Sequence, residues 1–215
     1  MTRRWTGLVV IVAMVVFSVV AYPSLPERVA THWNIAGEPD SWSSRAFAVW
    51  LGPAIALGVW LLLPVLRRID PRRANYDRFD PTFWLVVNMI TLFLGLVHAL
   101  TLGAALGWRV DITRAMLMIV GALFVILGNY MPRLRSNWWM GIRTPWTLES
   151  ESVWRATHRL AGWTFAAAGV LTVLSALLPS KAAFFVAMAS MMCGAFIPVI
   201  YSYIAFRREQ RTSTS

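Results

Sequence analysis

Two polar segments interrupt an otherwise apolar chain of 215 residues, and they hold the side chains best suited to chemistry. The first, residues 23–46, places His32, Glu38 and Asp40 within nine residues of one another. Zinc sites use three or four ligands at fixed spacing and favour His and Cys, so one imidazole beside two carboxylates predicts no metal. Asn34, Gly37 and Asp40 instead fit a turn whose side chains bond the backbone. Trp33, Trp42 and Trp50 have the character of anchors at a membrane interface. The second segment, residues 128–162, is a polar island with Glu149, Glu151, His158, five arginines and many hydroxyls. It has no GxSxG, no HExxH, no phosphate-binding glycine loop and no cysteine matched to a histidine. A nucleophile, a base and oxyanion donors cannot all be named, so neither catalytic residues nor a cofactor is expected. Arginines flanked by Trp138, Trp139 and Trp146 suit recognition of an anionic group or an aromatic surface. The competing reading makes those tryptophans an interfacial belt and the arginines topology anchors.

The elements that position these segments follow from hydropathy. The chain is 58% hydrophobic and 14% charged, against about 25% charged in a soluble domain. Six apolar runs, at about 5–22, 47–66, 82–108, 113–131, 162–178 and 182–206, approach or exceed the roughly 20 helical residues that cross a bilayer core. No run carries an acidic or basic residue in its interior. Continuous apolar runs of this length exclude barrel strands. The expected fold is all-α, a polytopic membrane bundle of six transmembrane helices plus an interfacial amphipathic helix. The first run follows two arginines in the manner of a signal peptide, but a retained helix is the expectation.

Charge sets the orientation. The loops on one side hold two arginines at the N-terminus, five in residues 67–81, five in the island and three in the tail. The other side holds Arg28, Arg45, Arg109, Arg114 and Lys181. Cytoplasmic loops carry the Lys and Arg excess, which predicts cytoplasmic termini and island, with residues 23–46 outside. The net charge of +10 then reflects basic residues meeting anionic lipid, and no direct nucleic-acid contact is expected. The single Cys193 excludes an intramolecular disulfide.

Within this frame residues 67–81 read as a solvated basic connector. Thr147 is a candidate N-cap for an amphipathic helix from about Glu149, with Glu151, Arg155 and Arg159 as its charged stripe. Gly95, Ala99, Gly103 and Gly107 form a small-residue stripe suited to close helix packing, within the chain or between copies. The oligomeric state is therefore open. His98 reads as a neutral, hydrogen-bonded residue of the bundle rather than a functional one. Each triplet of spans begins with a helix followed by an aromatic, proline-containing loop, which suggests an inverted duplication.

The island resembles the signature of the SdpI family through Gly128, Asn129, Tyr130, Pro132, Asn137, Gly141, Ile142, Arg143, Thr144, Pro145, Trp146, Thr147, Leu148, Glu151, Val153, Trp154, Thr157 and His158. Residues 25–42 resemble a short domain of unknown function through Pro26, His32, Trp33, Asn34, Gly37 and Asp40. The resemblance implies two units, residues 1–110 with the HWN loop and residues 111–215 with the GIRTPWT loop. It implies a multi-pass protein of the bacterial inner membrane that gives immunity to a secreted, membrane-active peptide toxin. It also implies membrane capture of a cytoplasmic transcriptional repressor. Toxin contact would use the outward loop, whose motif is His32, Trp33, Asn34, Gly37 and Asp40. Repressor capture would use the cytoplasmic face, where Asn137, Gly141, Arg143, Thr144, Pro145, Trp146, Trp154 and His158 are candidate partner-binding residues. The resemblance assigns neither contact residue by residue. A fold does not fix a function, so two alternatives stay open: a transporter or flippase, and a membrane-surface enzyme.

Overall fold

The computed structural model describes residues 2–213 as an all-α bundle with one short hairpin. In chain order these are α1 (Thr2–Ala21), β1 (Arg28–Trp33), β2 (Pro39–Ser44), α2 (Arg45–Ile69), α3 (Asp80–Ala105), α4 (Ile112–Tyr130), α5 (Pro145–Glu149), α6 (Glu151–Ser175) and α7 (Ser180–Ser213). Five of them, α1, α2, α3, α4 and α7, are long and apolar enough to cross a membrane. The remaining expected span, at about 162–178, is the C-terminal part of α6, whose polar first turns lower its mean hydropathy. α6 nevertheless runs the full depth of the bundle, packed along α4 on one side and α7 on the other. The expected interfacial helix is thus not a separate element: its residues are the first turns of α6.

Helices α1, α2 and α3 pack on one another, whereas α4 and α7 meet chiefly through α6. The two triplets therefore differ in packing pattern, and also in the element after their first helix, a hairpin in one and the short helix α5 in the other. In the first, Ser18 on α1 donates to the Val49 carbonyl on α2 at 2.8 Å. Its single proton is thereby used, so His98 Nε2 on α3 is the donor in the 2.9 Å bond to Ser18 Oγ. One polar knot ties three helices, and His98 is buried in it, as the sequence suggested.

In the second triplet the closest approach is between α4 and α6. A Cβ on Gly128 would lie 2.7 Å from Ala166 N and 2.8 Å from the Gly162 carbonyl, and one on Gly121 would lie 2.7 Å from the Gly169 carbonyl. Two glycine pairs thus bring two backbones into contact. The Gly95–Gly107 stripe divides differently from expectation. Gly95 faces Val10 and Met14 of α1, and Gly103 is covered by the Trp108 ring. Gly107, at φ +86°, ends α3, where Trp108 N–H bonds the Gly103 carbonyl at 2.9 Å in a Schellman turn.

Candidate functional site

Residues 23–46 form a hairpin rather than a loop of turns. β1 and β2 pair antiparallel, with irregular register beside His32. The Asn34 carboxamide oxygen accepts Ala36 N–H at 2.9 Å and Glu38 N–H at 3.0 Å, and Gly37 supplies φ +85°. Asn34 and Gly37 therefore build the turn, as expected. A Cβ on Gly37 would also stand 2.6 Å from Thr113 Oγ1 at the start of α4, so the hairpin tip rests on the second triplet. His32 Nδ1 pairs with Asp40 Oδ1 across the strands at 2.5 Å, both exposed. Among the described residues no three His, Cys, Asp or Glu side chains are grouped to hold a metal.

The island, at the other end of the bundle, folds around Asn137. Its oxygen accepts Trp139 N–H at 2.9 Å and Met140 N–H at 2.7 Å, and its amide donates to the Arg135 carbonyl at 2.8 Å and the Met140 carbonyl at 3.1 Å. The fully buried Trp154 donates from Nε1 to the Leu134 carbonyl at 2.9 Å. Thr144, not Thr147, is the N-cap of the next helix. The two threonines exchange side chain-to-backbone bonds in a capping box at the start of α5, and Ser150 caps α6. Thr144 also meets Ser202 of α7 at 3.0 Å, and Trp146 packs on Tyr203 with ring centroids 5.0 Å apart.

His158 shows what these buried residues do. Nδ1 faces the Trp154 carbonyl at 2.9 Å, while Nε2 faces Ile142 N–H at 3.0 Å. One partner can only accept and the other can only donate, so the ring is neutral with its proton on Nδ1. Burial pushes its pKa down to about 4, against a small upward pull from the Trp154 carbonyl. Gly141 passes directly beneath: its φ is +93°, and a Cβ there would lie 2.4 Å from His158 Nε2.

The depressed pKa makes a pH prediction. The unfolded chain takes up a proton near pH 6.5 and the folded chain only near 4. The stabilisation is therefore complete above pH 6.5 and is lost as pH falls from there to about 4. At 1.36 kcal/mol per unit, the loss is roughly 3 kcal/mol. Thermal unfolding of the detergent-solubilised protein should show the midpoint falling over this window, and His158→Asn should flatten that fall. An undiminished fall in the variant would remove His158 as its cause.

Residues 67–81 carry the feature that the sequence reading missed. They are not a solvated connector but the seat of the island. Asp70 is 2% exposed, and its carboxylate accepts Arg72 N–H at 2.7 Å, Tyr76 O–H at 2.9 Å and Trp138 N–H at 2.9 Å. Asn75 donates to the Ser136 carbonyl at 2.8 Å, and Arg72 bonds Ser136 and the Leu148 carbonyl. Burial, then the hydrogen bond and charge of Asp70, hold the Tyr76 hydroxyl well above the usual phenol range. The available signal was an Asp-Pro followed by a tyrosine in an arginine-rich stretch, which read as charge alone.

The candidate residues of the island thus separate into two groups. Asn137, Thr144, Trp154 and His158 are buried and shape the turn. Gly141 supplies its bend, and Trp146 docks it on α7. Arg143 and Pro145 remain exposed, with Arg135, Trp138 and Trp139 beside them in the same segment. Arg143 is steadied by a 2.7 Å bond from Nη1 to the Trp138 carbonyl.

The island turn and the hairpin both lie within stretches that the chain shares with known proteins. Residues 133–202 match the SdpI/YfhL protein family. Residues 9–57 match a domain of unknown function, DUF1648. The Immunity protein SdpI of Bacillus subtilis (strain 168) is 27% identical over 176 residues, covering 81% of this chain and 82% of the relative. No solved structure matches at a significant level. The SdpI-type match begins at Arg133 and ends at Ser202, so it takes in the whole island turn, α5, α6 and about the first two-thirds of α7.

Proposed function

We propose that the chain is a multi-pass immunity protein of the SdpI type, protecting a bacterial inner membrane from a secreted, membrane-active peptide. The observation that carries this reading is the similarity to an immunity protein across four-fifths of both chains. The arginine asymmetry supports a cytoplasmic island with both termini on the same side, which leaves the hairpin outside as the surface a peptide would meet. The exposed face of Arg135, Trp138, Trp139, Arg143 and Pro145 would serve as the docking surface for a cytoplasmic repressor. Flexible segments make poor docking faces because ordering them opposes binding. Here a buried Asn137–Trp154–His158 framework holds the turn before any partner arrives.

Two halves, residues 1–110 and 111–215, divide these roles in our reading. Transport is less well supported, since the polar span residues are used in helix contacts. His98 is in the Ser18 knot, and Asn88 Oδ1 accepts Gly7 N–H at 3.0 Å. Similarity to an immunity protein favours recognition over catalysis.

The test is expression in a peptide-sensitive strain challenged with a panel of secreted membrane-active peptides. The expected result is increased survival against at least one peptide. Arg143→Ala with Trp138→Ala should preserve that survival and abolish recruitment of a fluorescent repressor encoded beside the gene. Survival equal to the empty vector across the whole panel would sink the immunity reading. Unchanged recruitment would sink the assignment of the docking face.

A further inference from the structure

Beneath the hairpin, a cleft of about 720 Å³ opens between α3 of the first triplet and α4 and α7 of the second. Its walls are apolar: Val97 and Leu100 on one side, Leu117 and Val120 on another, Phe184 and Met188 on the third. Thr101, the hydroxyl on the α3 wall, already donates to the Val97 carbonyl at 2.9 Å. Charge enters only at the hairpin rim, where His32 and Asp40 stand beside Asn34. Met116, Met188 and Met191 line it as well, and methionine adapts its shape to flexible apolar ligands.

We propose that this cleft holds one acyl chain of a membrane lipid, with the lipid's polar head at the His32–Asp40 rim. The chemistry of the walls selects that occupant. An extended peptide would bring an N–H and a C=O per residue against largely apolar walls, which is costly at membrane depth. A helix satisfies its own backbone, but at about 10 Å across only about six of its residues would fit this volume. A hydrocarbon chain has no backbone groups to satisfy. The three helices that form the walls are all long and apolar enough to cross a membrane, which puts the cleft among elements that a bilayer's acyl chains would surround. The proposal is independent of the immunity reading, because it concerns the purified protein without toxin or regulator.

The experiment uses the full chain in detergent micelles, titrated with a phospholipid brominated at the middle of one acyl chain. Trp33 lines the cleft and reports occupancy as the quenching lost in Trp33→Phe. Saturable quenching at one lipid per chain is expected. Val97→Phe and Val120→Phe fill the cleft from opposite walls, so misfolding of one variant leaves the other informative. Each should weaken binding at least tenfold, while Val19→Phe, on the exposed face of α1, should leave it unchanged. Quenching that does not saturate, or that is equal in the filled variants, would identify surrounding lipid only and overturn the proposal. Displacement of the lipid by an equimolar hydrophobic helical peptide would overturn it in favour of a peptide site.

Discussion

Gly128→Ala is expected to destabilise the protein by roughly 1–3 kcal/mol, the range for forcing atoms into a filled core. Gly58→Ala should be neutral, or stabilising by up to about 1 kcal/mol. The two substitutions add the same atom to a helix, mid-way along α2 for Gly58 and in the last turn of α4 for Gly128, and differ chiefly in what it meets. Around Gly58 there is nothing within 4 Å, whereas at Gly128 the new Cβ falls 2.7 Å from Ala166 N and 2.8 Å from the Gly162 carbonyl. Those neighbours are backbone atoms of α6, which cannot rotate away as a side chain would. Relief requires α4 and α6 to separate along their length, and that separation would also open the Gly121–Gly169 crossing. α6 is the element joining α4 to α7, so the whole second triplet should loosen. Unfolding in mixed detergent micelles measures both variants directly. Equal midpoints would mean that the glycine crossing does not hold the triplet together.

Asp70→Ala has the second large effect expected. It removes one acceptor group serving three donors at the island's seat, stranding Trp138 N–H and leaving Tyr76 O–H its longer 3.2 Å contact with Asn137 Oδ1. Each stranded donor costs about 1–3 kcal/mol, and bonds to an ionised carboxylate are stronger than neutral ones. Tyr76→Phe removes one donor but leaves the carboxylate's bonds to Arg72 N–H and Trp138 N–H in place, and should do less damage. The loss should fall chiefly on the island, since the Trp138 N–H bond ties Asp70 directly to the island turn. Limited trypsin digestion reports it, because Arg133, Arg135 and Arg143 all lie in the released segment. Asp70→Ala should be cut there at least tenfold faster than the parent, with Tyr76→Phe between them. Cutting at the parental rate would show that the island stands without Asp70.

The spans were legible because their signal is local. Twenty apolar residues in a row can satisfy their backbone in lipid only as a helix, and five of the six runs became long apolar helices. α6 was harder, since its first turns are polar for a reason outside the helix: Trp154 and His158 face the island, not lipid. The island's importance was also legible, from aromatic density and from the resemblance. The role of each residue was not. Asn137 and His158 look from the sequence like recognition side chains, yet their hydrogen-bonding groups point inward at backbone amides and carbonyls. The hairpin escaped because its strands of six residues alternate only weakly. Asp70 escaped because its three partners lie up to 68 positions away, a distance no spacing rule covers.

The seat formed by residues 67–81 lies between the two stretches that match known families, inside neither. It is nevertheless where the first half of the molecule grips the second. At the opposite end, Gly37 touching Thr113 repeats the grip on a smaller scale. The halves are therefore not interchangeable parts. A chimera that took its first triplet from one relative and its island from another would inherit two surfaces shaped for absent partners. The unit that evolution or an engineer can move is the pair of loops, not the run of spans between them.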